Sequence, residues 1–358
     1  MKITDLLVKQ IALPLKQTFK IALGTDYEYV GVVIRIETDE EIVGIGEASP
    51  SARITGETTK TVIDVIENKL KPLLIGKSPL DMEKLLDEIN YAILYNSSAK
   101  CAIDIALHDI ISKYAKLPLY KLLGGFKEEI ITSITIGIKG IKDTVLEARE
   151  LVAQGTKVIK IKIGLNPVLD IEKIKSLREE IGYDVKIRVD ANQGYEPSDA
   201  IQVLRKIEQY EIEFAEQPVA YWDIQGLKQV REHSGIPIMV DESLHSTYDA
   251  INLIRENACD IFNIKIMKSG GIREASKIAS IAESAGIPCM LGCMVETRIG
   301  VGAATHLALA LKNIKFADLD GHLFLKEDIV EGGVITEKGV NRVTSKAGIG
   351  VNLVKKIF

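Results

Sequence analysis

Cysteine is scarce. Cys101, Cys259, Cys289 and Cys293 are the only four in 358 residues, and no two have Cys-x-x-Cys spacing. That argues against a zinc site or a disulfide framework and leaves buried thiols in a reducing compartment. No apolar run reaches 18 residues, so a membrane-spanning helix is not expected. The N-terminus lacks a basic segment followed by an apolar core and a cleavage site, which points to a cytoplasmic protein. Basic excess is lacking too: the formal net charge is −5, which argues against a nucleic-acid surface. The five histidines, His108, His233, His245, His306 and His322, lack the arrangement of a His-Asp dyad, and His108 and His306 fall in expected helices as structural residues.

What is there reads as a soluble globular chain, 46% hydrophobic and 27% charged, long enough for one large domain and a smaller one. Residues 1–60 read as β. Val30–Thr38 is a strand, Asp39-Glu40-Glu41 a turn, and Ile42–Ala48 the returning strand. Residues 16–29 and 49–58 are polar and irregular, and are expected to be lid loops. Residues 59–116 turn helical, with Ala99–Tyr114 apolar on most sides. Pro118 and Gly124-Gly125 then mark a boundary.

From Ile130 strands and helices alternate. Strands are expected to begin near Ile130, Val158, Val185, Ile212, Pro237, Ile261, Pro288 and Ile314, at spacings of 24 to 28 residues. Ile171, Ile174, Leu177 and Ile181 repeat at helical spacing, as do Ile201, Leu204 and Ile207 behind Ser198 as the expected N-cap. Eight such units at a near-constant period imply a closed parallel α/β barrel rather than an open doubly wound sheet. The tail from Phe324 returns to short strands and turns. The expected division is an α+β capping domain over 1–125, the barrel over 126–322, and a C-terminal segment over 323–358 that goes back to the cap.

Three acids fall at successive strand ends: Asp190 in Val-Asp-Ala-Asn, Glu216 in Glu-Gln-Pro and Asp241 in Asp-Glu-Ser, 26 and 25 residues apart. In a parallel barrel such positions converge on one mouth. Converging carboxylates repel unless a cation neutralises them, and an all-oxygen set suits a hard ion such as Mg²⁺. The alternative, three unrelated helix caps or loop acids, does not account for their register.

Lysines stand with them. Lys160 and Lys162 alternate onto the barrel interior at the second strand, and Asn263, Lys265 and Lys268 sit at the end of the sixth, directly across the ring. Lys265 is expected to pair with the metal-site carboxylates. Lys162 and Lys268 can flank whatever the ion holds. An ammonium of ordinary pKa roughly 10.4 loses charge more readily near a cation and another ammonium, so one lysine can act as base while its opposite acts as acid. A carboxylate substrate whose α-proton is removed on one face and returned on the other would be racemised or epimerised.

Taken together, Lys160-Ile161-Lys162, Asp190, Glu216, Asp241, Lys265-Ile266-Met267-Lys268-Ser269-Gly270-Gly271, Gly46-Glu47-Ala48 and Leu122-Leu123-Gly124-Gly125 resemble the muconate lactonizing enzyme subgroup of the enolase superfamily. The resemblance covers essentially the whole chain and implies a modified barrel under an α+β cap, one Mg²⁺ per subunit and a homo-oligomer. Asp318-Leu319-Asp320 resembles the Asp-x-Asp of the dipeptide epimerases in that subgroup, which implies that Asp318 and Asp320 hold the ammonium group of a dipeptide. It also implies that Lys160 meets the substrate carboxylate, that Thr135 lines the site and that Asn192 supports it. The implied substrate is L-Ala-D/L-Glu, inverted at the C-terminal residue. Such relatives can hold the distal carboxylate with an arginine in the first lid. Residues 19–26 have none, so Arg53 or Arg298 would have to substitute; failing both, Phe19 and Ile54 would favour an apolar dipeptide. Other activities of the subgroup, o-succinylbenzoate synthesis, N-acylamino acid racemisation and muconate cycloisomerisation, do not need the acid pair. A barrel that only binds a ligand, or one that keeps Mg²⁺ for structure, gives no reason for two opposed lysines.

Overall fold

The computed structural model describes residues 1–354 and 357–358. The N-terminal part is a three-stranded antiparallel sheet, β1 (Ile3–Ile21), β2 (Gly24–Thr38) and β3 (Gly44–Ala48), covered by helices, the longest Ser97–Tyr114. Val32, Ile34 and Ile36 of β2 meet Val62, Leu70, Leu107 and Ile110 in a core of the cap's own. β3 is buried along its whole length. Its glycines let it lie against helix 97–114: a Cβ at Gly46 would stand 1.9 Å from the Ala102 carbonyl oxygen, and one at Gly44 2.2 Å from that of Ala106.

The first expected lid loop is regular structure. Residues 16–29 are the far end of the β1–β2 hairpin, which turns at Ala22-Leu23, with a register shift between Pro14 and Phe19 absorbing the irregular sequence. Cross-strand pairing and a bond from Ile138 N–H to the Lys20 carbonyl (2.7 Å) satisfy backbone groups that a polar sequence leaves open. The second stretch, 49–58, is an irregular loop, tightened by three amides donating to the Ser51 carbonyl. It ends in Glu57, whose carboxylate caps helix 97–114 through Ser98 N (2.9 Å) and Ala99 N (3.2 Å).

After β4 (Ile130–Ile131) come eight parallel strands: β5 (Ile134–Ile136), β6 (Val158–Lys162), β7 (Lys186–Asp190), β8 (Ile212–Glu216), β9 (Ile238–Val240), β10 (Ile261–Ile264), β11 (Cys289–Gly292) and β12 (Ile314–Asp318). They hydrogen-bond in sequence order. A Thr132–Ala317 bridge and Ser133 N–H to Ala317 O (3.1 Å) draw the last strand back to the first. The apolar run expected as the first strand is split. Ile130–Ile131 pairs with the tail, and the barrel strand begins at Ile134, because Thr132 and Ser133 carry the chain across to β12.

The helices alternate with the strands as their periodicity predicts. Helix Pro197–Ile207 begins at Glu196 rather than at Ser198, since Pro197 suits the first helical position, where its missing N–H costs nothing. Beyond β12 a short 3₁₀ turn, Gly321–Phe324, stands where a full barrel helix would follow. The tail forms β13 (Val330–Gly332), β14 (Val334–Glu337), β15 (Val340–Val343) and β16 (Val351–Leu353). β15 pairs with β4 beneath the barrel, while Leu325 bridges to Leu15 and Gly348 to Pro118 at the cap. All four cysteines are free thiols. Among the described residues no helix is long and apolar enough to cross a membrane.

The fit of β3 against helix 97–114 can be tested. Gly46→Ala forces a methyl into the Ala102 carbonyl and should destabilise the protein by about 2 kcal/mol or more, read as a lowered urea midpoint. An unchanged midpoint would mean that β3 and the helix are not in contact there.

Candidate active site

The strand register carries the acids and lysines to the C-terminal mouth. Lys162 pairs across the sheet with Asp190, and Asp190 with Glu216. All three are buried, and so are Lys160, Asp241, Lys265 and Lys268. Each ammonium faces a carboxylate. Lys160 Nζ lies 2.7 Å from Asp318 Oδ2, 2.9 Å from Asp190 Oδ2 and 3.0 Å from Glu216 Oε1. Lys162 Nζ lies 2.6 Å from Asp190 Oδ2 and 2.8 Å from Asn192 Oδ1. Across the barrel, Lys265 Nζ meets Asp241 Oδ2 at 2.7 Å, and Lys268 Nζ donates to the Asp241 backbone carbonyl. Asn263, inward-facing on β10, donates to Glu216 Oε1 at 2.9 Å.

Charge follows from these contacts. Burial opposes ionisation of Asp190 and Asp241, but Lys160 and Lys162 beside the one, and Lys265 and Lys268 beside the other, hold both below the usual carboxylate range. Glu216 is pushed up to about 8 by burial and Asp190, against the pull of Lys160. Lys268 is lowered by burial, with Lys265 adding to the effect and Asp241 opposing it. Burial would lower Lys265 as well, but Asp241 raises it overall.

The expected metal carboxylates do not form a ready cage. Among the described residues, no three His, Cys, Asp or Glu side chains stand close enough together to hold an ion. An ammonium occupies the approach to each acid. Even so, two oxygens remain available. Glu216 Oε2 and Asp241 Oδ1 are buried and take no hydrogen bond, although Lys160 and Lys268 stand at ion-pair distance, 2.9 and 2.6 Å. Unsatisfied carboxylate oxygens on an all-oxygen donor set fit a hard divalent cation, provided the two ammonium groups give way.

Above this floor opens a cavity of about 430 Å³. Lys160, Lys162, Lys265, Asn192, Thr135, Asp318 and Asp320 are on its wall, with Phe19, Ile54 and Arg53 from the cap. Lys268 and the three metal-candidate acids are not; they lie beneath. Asp318 accepts from Ser133 Oγ (2.6 Å) and Thr135 Oγ1 (3.3 Å), and Asp320 from the Thr135 amide (2.7 Å). Lys160 keeps Asp318 below the usual range against burial, while burial and Asp318 push Asp320 up to about 7. The pair thus presents one firm negative charge and a second acid that titrates near neutrality.

The two arginines part ways. A Cβ at Gly24 would fall 1.5 Å from Arg53 Nη1, so the guanidinium of the second loop fills the space that a side chain on the hairpin tip would need. Among the described residues it has no hydrogen bond or ion pair. Arg298 is absent from the cavity wall. It opens helix Arg298–Ala310, where Asp328 of the tail accepts its amide N–H (3.1 Å) and lies 4.0 Å from its Nε.

Several residues of the site escape sequence reasoning. Cys293, Met294 and Val295 line the cavity from the loop after β11, and the Phe324 ring meets that of Phe19 at a tilt of 42°, centroids 4.6 Å apart. Nothing in their sequence marks them; they become wall because the cap lands there. Glu47 of β3 accepts from Tyr29 Oη (2.6 Å), Thr297 Oγ1 (2.7 Å) and Gly300 N (2.7 Å), anchoring the cap to the start of helix 298–310. Glu242 is buried beside Asp241, with Oε1 accepting from Asn192 Nδ2 at 3.1 Å. It was visible as the second acid of Asp-Glu-Ser, but alternation along a strand says nothing once the strand has ended at Val240.

A capped parallel barrel with opposed lysines and carboxylates at its mouth defines a class of enzymes that move protons next to carboxylates. The chain belongs to the mandelate racemase / muconate lactonizing enzyme family of the enolase superfamily: its residues 3–124 match the family's N-terminal domain and 143–357 the enolase C-terminal domain-like unit. It is 43% identical over 354 residues to the hydrophobic dipeptide epimerase of Enterococcus faecalis, covering 98% of this chain and 100% of that one. To the L-Ala-D/L-Glu epimerase of Clostridium acetobutylicum it is 40% identical over 353 residues, covering 98% and 99%. The structure of the L-Ala-D/L-Glu epimerase from Bacillus subtilis, solved with substrate, superposes with a TM-score of 0.96 at 38% identity, covering 98% of this chain and 99% of that one.

Glu296 gives a pH test of this interior. Burial and the neighbouring Glu47 push it up to about 8 from an ordinary 4.5, and its Oε2 has no hydrogen bond. Between those values the native state keeps a proton that the unfolded chain has released, so this group makes stability fall as pH rises. Glu296→Gln removes that dependence. Relative to wild type, the variant should gain stability from about pH 5 to about pH 8, by up to about 1.4 kcal/mol per pH unit in urea denaturation. A difference that does not change with pH would mean that Glu296 is ionised throughout.

Proposed function

We propose that the protein is a Mg²⁺-dependent dipeptide epimerase that inverts the α-carbon of the C-terminal residue by a two-base 1,1-proton transfer through an enediolate. The observation that carries the reading is the pair of ammonium groups held at opposite strands, Lys162 by Asp190 on the wall of the cavity that Asp318 and Asp320 also line, and Lys268 by Asp241 beneath it. Asp190, Glu216 and Asp241 would hold the Mg²⁺, which supplies positive charge to a substrate carboxylate. Lys160 meets the same carboxylate. Lys162 removes the α-proton on one face and Lys268 returns one on the other, or the reverse. Lowering of Lys268 by burial suits a group that must give up its proton. Lys265 and Asn192 hold the surrounding acid and base in place. Asp318 and Asp320, oriented by Ser133 and Thr135, take the ammonium end of the dipeptide.

The domains in this reading are a cap over 1–125, a catalytic barrel over 126–322 and a returning segment over 323–358. Exposed Tyr91, Tyr95, Trp222 and Tyr248 support a homo-oligomer, and free thiols support a cytoplasmic location. The side-chain reading is L-Ala-D/L-Glu, because Arg53 reaches the cavity with its donors unused. Phe19, Ile21, Leu23 and Ile54 favour an apolar side chain as the second reading.

Proton NMR of L-Ala-L-Glu, L-Ala-L-Leu and L-Ala-L-Lys with Mg²⁺ in D₂O decides among these. The expected result is loss of the C-terminal α-proton signal and appearance of a second diastereomer, fastest for the glutamate dipeptide. Arg53→Ala should slow that substrate at least about tenfold relative to the leucine one, as loss of a charge-assisted contact implies. Lys162→Ala and Lys268→Ala should each abolish inversion, and EDTA should do so reversibly. Inversion that survives both lysine variants would sink the two-base mechanism.

A further inference from the structure

Glu242 has no task in the reading above, yet it is 2% exposed and adjoins Asp241. Among the described residues its side chain makes one hydrogen bond, from Asn192 Nδ2 to Oε1 at 3.1 Å, while Oε2 is buried without a partner. The other end of the same amide, Asn192 Oδ1, accepts from Lys162 Nζ at 2.8 Å. Three side chains from three barrel units, at the ends of β6, β7 and β9, are thus threaded in a line: Lys162, Asn192, Glu242.

The backbone beneath this line is set for it. Asn192 has φ of +40° and Gln193 +68°, a left-handed stretch that side-chain-bearing residues adopt only where surrounding contacts impose it. Those contacts are present: Asn192 N–H donates to Asp190 Oδ1 at 2.8 Å and Gln193 N–H to the Gln217 carbonyl at 2.8 Å. The turn aims the Asn192 side chain, but it does not choose which end of the amide faces the lysine. A carboxamide has one donor end and one acceptor end, nearly equal in shape. Turned over, it would present N–H groups to an ammonium. An acceptor at the far end favours one orientation, and Glu242 Oε1 is that acceptor.

Lys268 is held differently. Its Nζ donates to the backbone carbonyls of Asp241 and Asn263, which have no flipped alternative. Both lysines also face a carboxylate, Lys162 that of Asp190 and Lys268 that of Asp241, but only Lys162 depends on a side-chain amide as well.

We propose that Glu242 is a positioning residue for Lys162: by fixing the orientation of the Asn192 amide it aligns the base on one face of the substrate, and it makes no hydrogen bond to the base on the other face. The proposal rests on the epimerase reading for what Lys162 does, but not for the relay itself. Its kinetic signature is asymmetry. The epimer whose α-proton faces Lys162 loses both exchange and inversion when the relay is broken. The epimer facing Lys268 still gives up its proton and takes deuterium back on the same face, but is no longer inverted. General damage to the site slows all of these together.

The test uses full-length enzyme with Mg²⁺ and each diastereomer of the best dipeptide in D₂O, following exchange and inversion separately. In Glu242→Leu, which keeps bulk and removes the acceptor, the exchange-to-inversion ratio should rise about tenfold or more from one epimer only, the scale expected when a reacting group is misplaced by about 1 Å. Glu242→Gln keeps an acceptor for Asn192 and should bring the ratio back towards wild type. Should the leucine variant fail to fold, Asn192→Gly, which suits the left-handed backbone and deletes the amide, must give the same one-sided pattern. Equal slowing from both epimers, or a glutamine variant as impaired as the leucine one, overturns the proposal. A crystal structure of Glu242→Leu decides it without activity: the relay predicts that the Asn192–Lys162 contact is broken, and an intact contact refutes it. If the wild type exchanges no dipeptide at all, the epimerase reading falls and the crystallographic result still stands for or against the relay.

Discussion

Buried charges must be cancelled where they lie, because the interior of a barrel offers too little polarisation to carry them alone. At this mouth Lys160, Lys162, Lys265 and Lys268 are set among Asp190, Glu216, Asp241, Glu242, Asp318 and Asp320, with almost no access to water. Nearly every other feature of the site is a consequence. Acids adjoining two ammonium groups are pinned in the ionised form, whereas Glu216 and Asp320, each crowded by another acid, are displaced towards neutrality. A set balanced in this way can receive a divalent cation or a charged substrate by exchanging partners instead of exposing bare charge.

The cap makes such exchange useful by closing over it. Glu47 reaches from β3 to the amino end of helix 298–310, and Ser49 Oγ bonds the Val295 carbonyl at 2.9 Å in the loop that lines the cavity. Phe19 on the hairpin packs at a tilt against Phe324 just beyond the last barrel strand. Barrel and cap therefore line one chamber, with the lysines and the Asp318–Asp320 pair on the barrel side and Phe19, Ile21, Leu23 and Ile54 together with Asp26, Glu28 and Arg53 on the cap side. A dipeptide has the matching polarity: a carboxylate and ammonium for the floor and a variable side chain for the roof. Relatives similar to this chain along nearly its whole length are named for different dipeptides.

Much of this was legible beforehand, and the reason is periodicity. A repeat near 26 residues marks one strand-loop-helix unit, and period-two alternation at a strand end tells inward from outward. Those two rules suffice to bring Lys160, Lys162, Asp190, Glu216 and Lys265 together, because within regular structure sequence distance converts to spatial distance. They lose their hold where regularity ends. The split of Ile130–Ile131 from β5, the folding of residues 16–29 into a hairpin and the bond between Glu242 and Asn192 all depend on partners far away in the chain.

The sequence by itself therefore determined the barrel, the cap and the ring of acids and lysines, since each follows from local spacing and from the need to neutralise converging charge. Only the tertiary structure decided which arginine faces the cavity. Arg53 and Arg298 are alike as residues, and what separates them is that Gly24 leaves room for one while Asp328 engages the other. It likewise decided that Lys268 lies beneath the cavity wall and Lys162 on it, because that depends on how the one-turn helix Ile266–Ser269 packs under the cap.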